Sequence, residues 1–390
     1  MNRPDAKTTR PVDGYENAAG GPPAVAQVTD RVGGAVARSQ PAAGGLLGGA
    51  EAAAYRGRQW LVQRVPTHPV TALASPRSIV SYTVIGMIAA GVVANPYAVA
   101  TLARILAVGL LAVSVAVLTG WAGLPSLGQV APFAVGAYTT ALLARAGVTV
   151  GVVQMGAATA AAVLFAVLTG VAVIRTRGTA FLMVTLAVAE LTAAAATRWS
   201  SLTGGSDGLA GIPAVRPVWG APALANDWQV YWYVLGVTAA VVAITVAVLR
   251  SPAGLLLNGI RDHEVRMRAC GHPVGAYLLA AYTAAGAIAG VGGALLVTVA
   301  RYISPADVGF DTAALVLLAV IIGGATSIGG AFAGAALVVG ARDWLAGPWP
   351  GHTPLLLGAM LIVAVYLLLR GLSGLAHRLR DPRRRREVQS

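Results

Sequence analysis

Between residues 78 and 370 the sequence is a series of apolar runs, each about as long as a bilayer is thick, with charge confined almost wholly to the segments between them. A helix crosses the hydrocarbon core with roughly 20 apolar residues, and about 17–25 are tolerated. Runs of that class stand at 78–94, 97–118, 127–144, 151–174, 179–197, 229–249, 276–300 and 353–370. A further apolar stretch, 313–341, is interrupted by Gly323-Gly324-Ala325-Thr326-Ser327-Ile328-Gly329-Gly330. The fold class expected is all-α, a polytopic transmembrane helical bundle of about 8–10 membrane segments, some broken or re-entrant.

Composition supports lipid as the solvent. Charged residues are 11% of the chain, against about 25% in soluble domains, too few to cover a watery surface. Many of the 48 glycines sit inside apolar runs, where small residues let helix backbones approach closely. The net charge of +13 falls in tails and short loops rather than on one basic face, which argues against a nucleic-acid partner. With Cys270 as the single cysteine and five scattered histidines, neither an internal disulfide nor a metal cluster is expected.

Orientation follows from where the basic residues fall. Residues 1–77 hold nine Lys/Arg against five Asp/Glu, and 370–390 hold seven against two. By the positive-inside rule both ends belong in the cytoplasm. Residues 1–77 read as a disordered polar tail with a short amphipathic stretch near Glu51–Val65, and 371–390 as a basic tail. No signal peptide is visible before the first strongly apolar run near Ile79. Alternation then places Arg175–Arg177 and Arg250–Arg268 inside and the 198–228 loop outside. The Arg383–Arg386 run lands inside only if 313–341 crosses twice, or dips in and returns. Ten apolar segments result.

Two breaks echo one another. Gly123-Leu-Pro-Ser126-Leu-Gly128 and Gly324-Ala-Thr-Ser327-Ile-Gly329 stand 201 residues apart. In the first, Gly120, Gly123 and Pro125 open the backbone while Ser126 and Gln129 supply polar groups. Two readings stand: an interfacial turn, or a break that lines a pathway. Related halves meeting at broken helices are a common transporter plan.

The stretch Thr119-Gly-Trp-Ala-Gly-Leu-Pro-Ser-Leu-Gly-Gln129, followed by Phe133 and Gly136-Ala-Tyr138, resembles the LivM-type permease subunits of branched-chain amino acid ABC transporters. Further matches follow in order: Arg177 to Glu190, Leu202 to Leu209 with Gly211-Ile-Pro213, and Ser251-Pro-Ala-Gly254 through Gly259-Ile-Arg-Asp-His-Glu264 to Gly271. Ile322-Gly-Gly324 and Gly329-Gly330 close the series. The resemblance covers about residues 79–370. It implies a permease domain over 78–370 whose cytoplasmic loop 250–275 is the coupling segment. A short helix is expected at 255–269, ended by Gly271 and Pro273. Gly254, Arg261, Asp262, Glu264 and Gly271 are the residues expected to couple to an ATP-binding subunit. Arg266, Met267 and His272 depart from the family pattern.

Gly123, Ser126, Gln129, Glu190, Gly324 and Ser327 are candidates for the translocation pathway. Glu190 is the one acidic residue well inside an expected span, where charge costs about 2.5–3.5 kcal/mol. It should face the protein interior, a wet cavity or Arg104, unless its span is displaced and it sits near an interface. Asp207 among Gly204, Gly205 and Gly208 is far short of a calcium site, so no metal is expected. No Gly-x-x-x-x-Gly-Lys-Ser/Thr loop and no catalytic set occur in the sequence, so the chain is not expected to be an enzyme.

The resemblance implies the membrane subunit of an importer in the bacterial cytoplasmic membrane, binding no cofactor itself. ATP-Mg would be used by two ATP-binding subunits, a second related permease subunit would complete the pathway, and an extracytoplasmic solute-binding protein would deliver substrate. Branched-chain or related hydrophobic amino acids are the implied cargo. Urea or short amides are the alternative, and an ion-coupled secondary carrier is the competing class.

Overall fold

The computed structural model describes residues 96–346 and 358–359. The span read at 78–94, both tails, and all but two residues of 353–370 lie outside the described residues. The described chain forms ten α-helices. These are α1 Pro96–Ala116, continued by a π-helical turn Val117–Trp121, then α2 Val130–Arg145, α3 Gly151–Val173, α4 Thr179–Arg198 and α5 Ser200–Thr203. After a loop come α6 Asp227–Arg250, α7 Pro252–Ala269, α8 Val274–Ala300, α9 Phe310–Gly323 and α10 Ile328–Ala346. Among the described residues the only β pairings are two isolated bridges. The fold is an all-α bundle, and six of its helical stretches are long and apolar enough to cross a membrane.

α8 and α1 form the centre. Of the span-length windows on these helices, 67% and 78% of residues are buried, against 28% on α3, α4 and α6. Small residues allow this centre to close. Gly290 and Gly293 lie against α2, where a Cβ on Gly293 would stand 2.0 Å from the Phe133 carbonyl oxygen. Ala158, Ala162, Ala166 and Gly170 form the buried stripe that α3 turns to α8. Such stripes replace the hydrophobic drive that helices lack in lipid. The opposite faces of the outer helices carry Leu164, Leu168, Met183, Leu191 and Ile244 exposed, as a lipid-facing surface requires.

The loops sort into two groups, as the alternation of spans predicts. At one end Arg177, after α3, pairs with Glu264 of α7. Arg261 of α7 donates to the Gly120 carbonyl, and Gly120 abuts Ala325 between α9 and α10. At the other end Arg216 N–H donates to Thr149 O at 2.8 Å. Leu209 and Ile303 exchange backbone bonds, and Arg301 Nη2 donates to Leu224 O at 3.1 Å. The two short segments expected within 313–341, joined at the Gly-rich break, are present as the antiparallel pair α9 and α10. Gly323 and Gly330 touch backbone to backbone there, and one turn further along Gly334 meets Ala319.

Candidate functional site: a charged helix tied to two helix breaks

α7 begins at Pro252, three residues before the start the sequence suggests, with Pro in the first turn where its missing N–H costs nothing. Gly254 is buried where α7 leaves α6, and a Cβ there would stand 1.9 Å from the Leu249 carbonyl oxygen. His263 departs from helical geometry with φ −150° and ψ 76°, so α7 is kinked. Gly271 follows at φ +83°, a left-handed conformation that glycine adopts without steric cost and that ends helices.

The apolar face of α7 is short and committed. Leu257 and Ile260 are buried with Leu118, Ala122 and Leu124 of the first break and with Val274 and Leu278 of α8. Two charged residues reinforce this seat. Arg261 lies over Gly123, where a Cβ would meet its Cγ at 2.6 Å, and its Nη1 donates to the Gly120 carbonyl. That carbonyl lies in the π turn, which interrupts the usual α ladder; such turns often mark functional sites.

Glu264 is the second tie. Arg177 Nε donates to both its oxygens at 3.3 and 3.2 Å, and Nη2 donates to Oε1 at 3.1 Å. Arg268 Nη2 adds a bond of 2.6 Å from one helical turn on. The Arg177 hydrogen bonds, with the charges of Arg177 and Arg268, hold the Glu264 carboxyl below its ordinary value against the opposing effect of partial burial. Arg177 also donates to the Ile174 and Thr176 carbonyls, which fixes its guanidinium at the end of α3.

Of the three charged residues expected to meet a partner, Arg261 and Glu264 are therefore engaged within the chain. Asp262 is the outward one: its side chain is 57% exposed and its partner is the neighbouring Arg261. Leu255 and Val265 stand exposed on the same helix, at 73% and 82%. Sequence reasoning missed these two, although apolar residues on a charged helix at an aqueous end are a visible signal.

The pathway candidates divide. Gly123 lies beneath Arg261, and the first break rests on the second through Gly120, whose Cβ would stand 2.1 Å from the Ala325 carbonyl oxygen. Gly324 and Ser327 belong to that second break; Ser327 Oγ accepts from Gly330 N–H at 3.1 Å. Ser126 and Gln129 are fully buried, and between them Leu127 N–H donates to Thr185 Oγ1 of α4 at 3.3 Å. The Gln129 amide has no hydrogen-bond partner among the described residues. Glu190 is exposed on α4, one residue round from the buried line Phe181, Thr185, Ala189. It forms no ion pair with Arg104 or with any other described residue. No group of residues fit to hold a metal ion occurs among the described residues.

The profile of the family described as "Branched-chain amino acid transport system / permease component" matches residues 97–365. The chain belongs to this family of permease components. Among curated relatives, the permease component is 27% identical over 280 residues to the high-affinity branched-chain amino acid transport system permease protein LivM of Salmonella typhimurium strain LT2. It is 28% identical over 280 residues to the LivM protein of Escherichia coli strain K12. Each alignment covers 66% of this chain, which spans 65% of the length of either relative. No solved structure matches the chain. Family and helices together make it a multi-pass membrane transport component.

Proposed function

We propose that this chain is the membrane-spanning permease subunit of an ABC importer for branched-chain or related hydrophobic amino acids, driven by ATP hydrolysed on a separate subunit. It pairs with a second related permease subunit, takes two ATP-binding subunits on the α7 end, and receives substrate from a solute-binding protein at the other. The observation that carries this reading is the chain of contacts from α7 through Arg261 to Gly120 and on to Ala325. A helix that presents Asp262, Leu255 and Val265 to solvent while gripping the first break, which itself rests on the second, can convert a pull at the surface into movement at the pathway.

Charge supports the cytoplasmic assignment of that end. Its loops hold Arg175, Arg177, Arg250, Arg261, Arg266 and Arg268 against Asp262 and Glu264. The opposite end balances Arg145, Arg198, Arg216 and Arg301 with Asp207, Asp227, Asp307 and Asp311. The excess of arginine belongs inside. The test is the reconstituted assembly. Asp262→Arg should weaken co-purification of the ATP-binding subunit and lower ATP-driven leucine uptake at least tenfold. Uptake by the permease chains alone, without an ATP-binding subunit, would overturn the importer reading.

A further inference from the structure

A cleft opens between α1, α9 and α10 at the end away from α7. Four charged side chains line it: Arg104 of α1, Asp307 of the turn Pro305–Val308, and Arg342 and Asp343 of α10. Arg104 stands eight residues into α1, about 12 Å along its axis. Farther toward the middle the lining becomes apolar, with Val108, Phe133, Leu315 and Val316. The space measures about 60 Å³, where one water needs roughly 10–15 Å³.

These charges are brought together without being joined. The ion pairs among the described residues are all at the α7 end. Neither Arg104 nor Arg342 reaches Asp307 or Asp343. Asp307 is taken up by the Ser304 N–H and hydroxyl at 3.1 Å. Asp343 accepts a single long bond of 3.4 Å from Thr101. Charge at membrane depth is expensive and is normally paired or placed against a ligand path. Opposite charges held apart above an apolar wall match a ligand with both charges at one end and an apolar body at the other.

We infer that this cleft is a station for a zwitterion with an apolar side chain, its carboxylate on Arg104, its ammonium on Asp343 and its side chain against Val108, Phe133 and Leu315. The inference rests on the importer reading and gives its amino-acid cargo a seat on this chain, one that an uncharged amide would not satisfy. A phosphatidylethanolamine headgroup shares the zwitterionic chemistry, so the test separates the two sources.

The experiment uses the complete assembly in proteoliposomes, with and without phosphatidylethanolamine, and measures leucine binding and uptake against leucinamide and 4-methylpentanoate as competitors. Leucinamide lacks the carboxylate and 4-methylpentanoate lacks the ammonium. Arg104→Gln should weaken leucine binding at least tenfold and erase its advantage over leucinamide. Asp343→Asn should erase the advantage over 4-methylpentanoate. Arg104→Lys and Asp343→Glu should restore much of each preference, which a merely structural role would not do. Unchanged preferences in variants that still take up leucine overturn the cleft assignment and leave the importer reading standing. Preferences that change only when phosphatidylethanolamine is present assign the cleft to lipid and overturn it as well. A wild-type assembly that carries urea but no amino acid overturns both.

Discussion

The two helix breaks share a local plan and differ in what surrounds them. Each has a glycine in the left-handed region after its first helix, Gly123 at φ +70° and Gly324 at φ +96°. Each then has a serine whose hydroxyl accepts a nearby glycine N–H, Ser126 from Gly128 and Ser327 from Gly330, both at 3.1 Å. Beyond this the likeness ends. The second break is a closed hairpin whose helices touch at Gly323 and Gly330. The first is open: α1 and α2 each pack on α8 rather than along one another, and Arg261 occupies the angle between. A short sequence sets how the chain leaves a helix; small-residue seams elsewhere set whether it turns straight back. On the proposed importer reading, the hairpin would be the fixed surface and the open break the part that a moving α7 displaces.

The largest expected effects come from filling the contacts. Gly323→Ala would put a methyl 2.0 Å from the Gly330 carbonyl oxygen. Backbone cannot swing aside as a side chain can, so a loss of about 1–3 kcal/mol is expected, read as a lower melting temperature of the purified chain. Gly120→Ala meets Ala325 backbone at a similar distance, 2.1 Å. Its steric cost should be comparable, with an added loss of leucine uptake per ATP hydrolysed, because it wedges the two breaks apart. If both variants lose stability alone and Gly120→Ala keeps full coupling, the distinction between fixed and movable breaks fails.

Much of this was legible in the apolar runs. Those within the described residues fall on α1 to α4, α6 and α8, and parity alone required the α9–α10 turn. Lipid makes span length and charge placement strong signals. Contacts across the bundle were not legible. Arg261 and Glu264 read as solvent-facing partners because a charged loop carries no local sign of the Gly120 carbonyl or of Arg177, 141 and 87 residues away. The helix expected from residue 127 starts at Val130 because Ser126 and Gly128 close a local turn. Depth alone leaves Glu190 facing an interior, a wet cavity or an interface, and within this single chain it lies beside the buried line Phe181, Thr185 and Ala189 of α4 rather than on it.

Arg261→Ala sharpens the comparison without adding bulk. It removes the bond to Gly120 and leaves Gly123 uncovered. The guanidinium is partly exposed, so the stability change should stay within about 1 kcal/mol. The expected signature is functional: ATP hydrolysis persists while uptake falls about tenfold, and Arg261→Lys recovers part of it. Equal losses of hydrolysis and uptake would mean that Arg261 serves assembly rather than transmission.

The smallest effect is the pH response of the Arg177–Glu264–Arg268 cluster, which holds α7 to the end of α3 and does not touch either break. Its carboxyl is lowered on folding, chiefly by the Arg177 hydrogen bonds. A lowered carboxylate contributes stability that is present above its unfolded value, about pH 4.3, and is lost as pH falls through the folded value. Melting temperature should therefore be flat through neutral pH and decline on the acid side. Glu264→Gln should remove that part of the decline while lowering the neutral-pH value slightly, since the cluster is part-exposed and screened. An unchanged acid limb in the variant would mean that α7 is held by Leu257, Ile260 and Arg261 alone, leaving the open break as its only charged anchor.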